Sequence, residues 1–290
     1  MGVFARNYHQ YRTSETPPSE IVGQTENLRL SLIEDRPGII EFSGSPSVLV
    51  SLHIGPSVAV DCRRAGERHR GKNIHGDLEI IPPNVGGLWE IKSTDTALVI
   101  GLKLRLLERV AEESGDDPSK LRVTNRFQTR DSQIEHIAWA LKAEMENGYP
   151  CGRLYRDSLA TALAARIVRY HSSLARPYRT TKTALPARKL KEVLGFVEDN
   201  LSRDLELREI AAVASLSVSH FKTIFRQSVG MPPHQYLIRR RVERAAAQLR
   251  NSKLPIGQIA LEHGFCHQSH LALHIRRVLG VSPQQIRDAS

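Results

Sequence analysis

A near-repeat in the carboxyl-terminal third constrains the fold of this chain more than any other feature of its sequence. Residues 210–235 match residues 259–285, with one extra residue in the second copy. The matched residues are Ile210-Ala211 with Ile259-Ala260, Ser215-Leu216 with Gly264-Phe265, His220-Phe221 with His270-Leu271, Gly230 with Gly280, Pro233 with Pro283 and Gln235 with Gln285. Two copies are too few for a solenoid, so the repeat indicates two copies of one small module.

Each copy has the pattern of two short helices joined by a tight turn. In the first copy the inward faces carry Leu207, Ile210, Ala211 and Ala214, then Phe221, Ile224, Phe225 and Ser228. In the second copy they carry Ile256, Ile259 and Ala260, then Leu271, Ile275 and Val278, and His263-Gly264 ends the first helix. This pattern predicts a helix-turn-helix, whose second helix enters the DNA major groove. An ordinary helical hairpin is the alternative, which the duplication, the turn spacing and the charge disfavour.

The positive charge of the chain is concentrated in the part that contains the repeat. Residues 1–175 hold 22 basic and 22 acidic residues, so they contribute nothing to the net charge of +10. Residues 186–290 hold 16 basic and 9 acidic residues, a net of +7, and three more cations lie between the two regions. A basic domain beside a neutral one fits a polyanionic partner such as double-stranded DNA.

Other sequence features exclude several classes of protein. Cys62, Cys151 and Cys266 are odd in number and unclustered, which argues against a disulfide framework and for a reducing compartment. No apolar run reaches the ~18 residues of a membrane span. Residues 1–10 are polar, unlike a signal peptide. The sequence therefore predicts a cytoplasmic protein.

The chain divides into four regions by its pattern. Residues 1–26 are polar and predict a flexible arm. Residues 27–171 begin with short, punctuated β-rich runs typical of an antiparallel sandwich or barrel, and they continue with helices. Residues 172–187 carry two prolines and several hydroxyl residues and predict a linker, whereas residues 188–290 predict an all-helical domain. The predicted fold class is therefore α+β.

Long amphipathic helices are predicted on both sides of the linker. Before it, two apolar stripes contain Ile134, Ile137, Ala138, Leu141 and Met145, and Leu159, Leu163, Ile167 and Tyr170. These stripes fit core packing and a dimer seam equally well. After it, residues 232–251 carry a stripe of Ile238, Val242, Ala245 and Leu249, with Arg239, Arg240, Arg241 and Arg244 largely on other faces. A helix of this length can hold the two inserted helices about one duplex turn, ~34 Å, apart.

The residues off the core stripe of each second helix are the candidates for DNA contact. In the first module they are Ser219, His220, Lys222, Thr223, Arg226 and Gln227. In the second they are His267, Gln268, Ser269, His270 and Arg276, beside the apolar Ala272 and Leu273. Lysine, serine and threonine can bond base edges, whereas alanine and leucine offer a thymine methyl an apolar contact at most. We therefore predict that the first module discriminates more between bases than the second.

Two pairs of residues at equal places in the two modules have more than one interpretation. Arg226 and Arg276 occupy equal places in the repeat, and phosphate contact is favoured over base contact there. His220 and His270 fit a structural role, donating to backbone or phosphate, as well as they fit base reading.

The carboxyl-terminal region resembles the AraC/XylS family of bacterial transcription regulators. The resemblance covers about residues 190–287 and depends on residues 254–265, 268–271 and 275–283, with further agreement at 216–221 and 239–245. It implies two helix-turn-helix modules that bind promoter DNA and usually activate transcription through contact with RNA polymerase. Leu271 and Ile275 stand where the family has aromatic residues, and Cys266 replaces a small hydroxyl residue.

The amino-terminal region is similar to the cupin-like sensor domain of many such regulators, with the best match at residues 76–82. Metal-binding cupins place a histidine shortly after that proline, where residues 85–89 contain none, and the other nearby histidines lack ligand spacing. We therefore predict no metal, no cofactor and no catalytic residue. His53, His75 and Trp89 are candidate lining residues of an effector pocket, although Trp89 fits plain core packing as well.

These observations predict a ligand-responsive transcriptional regulator, an activator in the usual manner of the family, that acts as a homodimer. A cupin-type enzyme with an appended DNA module is one alternative, but the sequence contains no metal triad and no nucleophile–base pair. An architectural DNA binder without sequence preference is the other, and a competition assay separates it from the first hypothesis.

Overall fold

The computed structural model describes residues 22–175 and 184–288, and only the backbone of residues 22–24. The chain forms two compact units, Met1–Arg179 and Thr180–Ser290. Most of the predicted arm (1–26) and the middle of the predicted linker (172–187) lie outside the described residues. Within the described parts, residues 22–24 form a strand, Leu185 is buried and Ala187 begins a helix.

The first unit contains two antiparallel sheets. Their strands are β1 (Val22–Gln24), β2 (Leu28–Asp35), β3 (Gly38–Phe42), β4 (Ser47–His53), β5 (Val58–Arg64), β6 (Glu67–Asn73), β7 (Leu78–Ile81), β8 (Gly87–Ile91), β9 (Asp95–Lys103) and β10 (Arg126–Thr129). The strand order is β1-β2-β9-β4-β7-β10 in one sheet and β3-β8-β5-β6 in the other. Because each sheet keeps two edge strands, the observed fold is the sandwich and not the closed barrel.

The six-stranded sheet is covered on both faces. Even-numbered residues such as Leu30, Val50 and Ile100 pack against helices, and odd-numbered residues such as Ile33 and Val99 face the four-stranded sheet. The helices are α1 (Leu104–Glu113), α2 (Ser132–Glu146) and α3 (Gly152–Tyr170). A central sheet buried on both sides explains why its strands are apolar at successive positions instead of alternating.

The apolar stripes of α2 and α3 belong to this core. Ile134, Leu141, Leu163 and Ile167 are fully buried in it, and the partly buried Ile137 and Leu159 pack against the same cluster. Of the two interpretations that the sequence left open, core packing is therefore the observed one. The homodimer stays a prediction and would require another surface.

Helices are the only regular secondary structure among the described residues of the second unit, which confirms the α+β class. Its helices are α4 (Ala187–Asp199), α5 (Leu207–Val213), α6 (Val218–Val229), α7 (Pro233–Asn251), α8 (Ile256–Glu262), α9 (Gln268–Leu279) and α10 (Pro283–Asp288). The two copies of the module are α5–α6 and α8–α9, and α7 lies between them in the chain. The predicted stripe of α7, from Ile238 to Leu249, is buried.

The arginines of α7 correct the sequence analysis, which placed them largely away from the buried face. Arg240 is only 1% exposed and Arg241 only 7%. Arg240 donates from Nε to Glu198 Oε1 of α4 at 2.5 Å, and it also pairs with Glu243. A guanidinium can be buried in this way because each of its donors meets a fixed acceptor.

Arg241 binds backbone rather than carboxylates. Its guanidinium donates to the carbonyl oxygens of Leu201 at 2.9 Å, Arg203 at 2.7 Å and Gly264 at 2.9 Å. The first two carbonyls follow α4, and the third lies in the turn of the second module. Arg241 therefore connects α7 both to the segment that enters the first module and to the turn of the second.

Candidate nucleic-acid interface

The two modules repeat in structure as they do in sequence. Helices α5 and α8 each have 7 residues, and helices α6 and α9 each have 12. Both longer helices end at a glycine in the left-handed region, Gly230 at φ 82° and Gly280 at φ 76°. At their starts, Ser217 Oγ accepts the His220 amide at 3.4 Å and His267 Nδ1 accepts the His270 amide at 3.2 Å. The predicted duplication is therefore confirmed at the level of caps and lengths.

The turn inside each module has one residue in the left-handed region. It is Ser215 in the first module, at φ 57°, and Gly264 in the second, at φ 74°. The next amide then bonds the carbonyl five residues earlier, from Leu216 to Ala211 at 3.1 Å and from Phe265 to Ala260 at 2.9 Å. The left-handed residue is what brings Leu216 and Phe265 back toward the core of each module.

Glycine is required at the second turn and not at the first. A Cβ on Gly264 would lie 2.8 Å from the carbonyl oxygen of Leu201 and 2.8 Å from Cζ of Arg241. We expect Gly264→Ala to destabilise the second unit by about 2–4 kcal/mol, because left-handed strain adds to the clash. Ser215→Gly is the matched control and should change stability by less than about 1 kcal/mol. Urea unfolding followed by hydrogen exchange of α7 measures both, and equal effects would contradict this account.

The structure places the predicted DNA-contact residues of the first module on one exposed helix surface. Phe221 and Phe225 of α6 are buried and pack with ring centroids 5.3 Å apart. The residues on the other faces of α6 are exposed: Ser219, His220, Lys222, Thr223, Arg226 and Gln227. The side chains that can bond a base edge or a phosphate therefore share the solvent side of a helix that the buried rings fix in place.

The first module also presents a groove beside this surface. The groove has a volume of about 650 Å³ and lies between α6 and the start of α7. Its described lining includes Lys222, Thr223, Arg226, Gln227 and His234, and no carboxylate. His234 was not among the predicted contact residues, although Pro232-Pro233 before it signals a helix start. The start of a helix with cationic side chains beside it favours binding of a phosphate group, because the backbone amides and the helix dipole attract negative charge.

The corresponding surface of the second module is less polar. Gln268, Ser269 and Arg276 of α9 are exposed, as is Leu273, whose side chain is 62% exposed. Fifty residues separate Leu273 from Thr223, so the two occupy equal places in the repeat. Val278 was predicted to lie on the buried stripe, but it is 38% exposed because the packed face of α9 ends at Ile275.

Histidines of the second module bind each other and the turn. His270 is half-buried, its Nδ1 accepts the Cys266 amide at 3.4 Å, and its Nε2 lies 3.0 Å from Nε2 of His274. Burial lowers the pKa of His274, and the nearby positive charges of His270, Arg277 and His234 lower it further. These contacts favour the structural interpretation of His270, and His267 caps the helix.

The first unit contains a cavity of about 90 Å³ between its two sheets. Of the three candidate effector residues, His53 and Trp89 line this cavity and His75 does not. The His75 ring lies elsewhere, stacked on Trp139 at 5.2 Å, with Nδ1 donating to the Ile54 carbonyl at 2.9 Å. Within residues 22–175 and 184–288, no group of three or more His, Cys, Asp or Glu side chains is placed to hold a metal ion.

Two other properties concern the chain as a whole. None of the described helices is long and apolar enough to cross a membrane. All three cysteines are free thiols, with Cys62 buried and Cys151 and Cys266 exposed. Burial raises the pKa of Cys62 to about 12, with a further contribution from the Glu79 charge, so this thiol is not a nucleophile at neutral pH.

Comparison with known proteins places the second unit among DNA-binding domains. A family model described as a helix-turn-helix domain matches residues 210–289. The chain is 32% identical over 117 residues to the HTH-type transcriptional activator AarP of Providencia stuartii. The matched residues make up 40% of this chain and 87% of AarP. It is 30% identical over 176 residues to the HTH-type transcriptional activator RhaS of Klebsiella pneumoniae, and this match covers 61% of this chain and 60% of RhaS.

The coverage of other relatives is partial. The chain spans 36% to 60% of the length of three of them, RhaS among these. Among solved structures, it is similar to the DNA-binding domain of AdpA in complex with a target DNA, at 34% identity over 35% of this chain and 91% of that one, with a TM-score of 0.34.

Proposed function

Since the chain belongs to the AraC/XylS family of transcriptional regulators, we propose that it binds specific promoter DNA through both of its helix-turn-helix modules and so regulates transcription. Activation is the favoured direction, because AarP and RhaS are both activators. In this proposal the chain acts in the cytoplasm, contacts RNA polymerase and is not an enzyme.

The observation that carries the proposal is the pair of equivalent exposed helices in the basic unit. Helices α6 and α9 have the same length, each has a side-chain cap at its start and a left-handed glycine at its end, and each exposes an arginine at the same place, Arg226 and Arg276. One such helix would fit many small proteins. Two of them, in a region of net charge +7, support binding along a duplex.

The connection between the modules supports one arrangement on DNA. Helix α7 has 19 residues and, at about 1.5 Å per residue, is ~28 Å long. This length is close to the ~34 Å of one duplex turn. We infer that a single chain contacts two successive major grooves on one side of DNA, so that its site is asymmetric and not palindromic.

The first unit has the role of a sensor in this proposal. Its cavity, with His53 and Trp89 in the lining, is where a small effector would bind. An effector would change the affinity of the protein for DNA only if the effector itself binds one conformational state of the protein more tightly than the other. A homodimer would place the DNA-binding units of its two chains on adjacent sites of the DNA.

Selection of bound fragments from a genomic DNA pool by the purified full-length protein tests the proposal. We expect one asymmetric sequence with two blocks about 10 base pairs apart to be enriched. A gel-shift competition then compares this sequence with scrambled DNA. If both compete equally, the protein is the architectural binder that the sequence left as an alternative. A palindromic consensus would contradict the single-chain arrangement.

A further inference from the structure

We propose that the cavity between the two sheets of the first unit binds a small organic amine in its protonated, cationic form. The inference rests on the proposed function, in which this unit senses an effector, and it names the chemical class of that effector. The cavity has a volume of about 90 Å³, whereas one water needs roughly 10–15 Å³ by the same measure, so there is room for several non-hydrogen atoms.

The walls of the cavity are largely apolar. They come from odd-numbered residues of the six-stranded sheet and from β3 and β8 opposite. The apolar lining residues are Ile33, Ile40, Phe42, Ile81, Trp89, Ile91, Ala97 and Val99. A ligand of this site therefore has a hydrocarbon body, since burial of apolar surface contributes most of the binding free energy of such molecules.

Carboxylates predominate among the ionisable groups that line the cavity, beside one histidine, His53. The lining contains the carboxylates of Asp35, Glu41, Asp77, Glu79 and Asp95. No lysine or arginine occurs among its described residues. Charges act more strongly in a partly buried site than in water, so this lining attracts a cation and repels a carboxylate or a phosphate.

Glu79 supplies the specific anchor for the cation. The residue is 7% exposed, and its Oε2 accepts from Arg64 and from Trp89 Nε1, the latter at 3.3 Å. Its Oε1 is buried and has no hydrogen-bond partner among the described residues. A buried acceptor without a donor costs about 1–3 kcal/mol, and more when it is charged. An ammonium group in the cavity would supply the missing donor.

The neighbouring charged groups are already committed to other partners. The remaining nitrogens of Arg64 donate to Asn125 Oδ1 and the Arg126 carbonyl, each at 2.6 Å. Asp77 accepts from Arg130 Nε at 3.0 Å and from the Ile74 amide at 2.9 Å. Protein groups thus hold Arg64 and Asp77 in place, whereas Glu79, which lines the cavity, keeps one carboxylate oxygen without a hydrogen-bond partner among the described residues.

His53 and Asp95 form a second committed pair in the lining. His53 Nδ1 lies 2.7 Å from Asp95 Oδ1, and Nε2 lies 2.8 Å from the Pro56 carbonyl. Both ring nitrogens of His53 are therefore occupied by these two partners. The ring is held on Asp95 and is not a hydrogen-bond partner of Glu79 Oε1.

Three probes of similar size test the proposal on the full-length protein: n-butylamine, n-butanol and n-butyrate, titrated by calorimetry at neutral pH without DNA. We expect n-butylamine to bind at least about tenfold more tightly than n-butanol, the ratio that a hydrogen bond to a charged group provides. We expect no measurable binding of n-butyrate. Equal binding of amine and alcohol, or no binding of the amine, overturns the proposal.

Matched variants locate the amine. Glu79→Gln keeps the shape but removes the charge and should weaken amine binding at least about tenfold. Ala97→Leu fills the cavity without touching its charges and should abolish binding, which decides the matter if Glu79→Gln does not fold. Glu90→Gln, on β8 of the four-stranded sheet and paired with Lys92 outside the cavity lining, is the control and should bind like the parent. Amine binding that survives Ala97→Leu overturns the proposal.

The same preparations separate this inference from the proposed function. Sequence-specific DNA binding is measured without any amine, so its absence refutes the proposed function and leaves the calorimetric result unaffected. An amine that fails to bind, in a protein that selects one DNA sequence, refutes only the inference about the cavity.

Discussion

Glu198→Ala is expected to reduce the free energy of unfolding of the second unit by about 3–5 kcal/mol. The side chains of Glu198 and Arg240 are each only 1% exposed, and two guanidinium nitrogens of Arg240 donate to the two oxygens of Glu198. Removal of the carboxylate leaves a buried cation with only Glu243 as a charged partner. Breaking a buried pair from one side costs more than the pair contributes, because the remaining charge stays desolvated.

The stabilisation by Glu198 also depends on pH. Burial raises the pKa of Glu198, but Arg240 and Arg244 outweigh it, so the pKa lies below its ordinary value. A carboxylate with a lowered pKa stabilises the folded state above its unfolded pKa, about 4.3. This stability is lost as the pH falls through the folded pKa. The difference between parent and Glu198→Ala should therefore be complete at neutral pH and shrink below about pH 4.

Hydrogen exchange of the α4 and α7 amides, followed over a urea series, measures this difference in the second unit alone. Glu192→Ala is the control, because Glu192 lies on the same helix and pairs with Arg188 and Lys189 at the exposed surface. Exposed pairs of this kind contribute little, so the control should resemble the parent. A Glu198→Ala protein with parental stability at neutral pH would refute the structural role of the buried pair.

Replacing Lys222 and Thr223 together by alanine is expected to remove most base discrimination in the half of the DNA site that the first module reads. A good base contact contributes about 1–3 kcal/mol of discrimination, so the ratio of affinities for correct and mutated sites should fall roughly tenfold or more. At equal places in the second module stand Ala272 and Leu273, which cannot bond a base edge through their side chains. The two ring nitrogens of His270 are already in contact with the Cys266 amide and with His274.

The matched comparison is the double replacement of Gln268 and Ser269 by alanine. We expect it to weaken binding to all sites alike and to change discrimination little. Binding of each variant to the selected site and to single base-pair changes in both halves provides the measurement. Equal loss in the two variants, or a larger loss from Gln268 and Ser269, would show that the second module reads sequence as well as the first.

The sequence was sufficient for the features of the second unit that depend on near neighbours. Helix stripes, caps and turns depend on residues within about five positions, so the sequence predicted the two helix-turn-helix modules and the exposed face of α6 correctly. It also predicted the left-handed residue at Gly264, whereas the left-handed conformation of Ser215 was not predicted. The exposure of Val278 was missed because it depends on where packing along α9 ends.

What only the tertiary structure decided depends on residues far apart in the chain. Arg240 pairs through two of its nitrogens with Glu198, 42 positions away, and the neighbouring Glu243 alone did not indicate that the guanidinium is buried. The stripes of α2 and α3 have the same pattern whether they cover a sheet or a second chain, and only the packing of the sheet beneath them distinguishes the two. The cavity is formed by residues of β2, β3, β4, β6, β7, β8 and β9, and His75 lies outside it because its ring stacks on Trp139 of α2. Alternation along a single strand predicts which residues share a face, whereas the sign of the charge in a cavity is set by how several strands assemble.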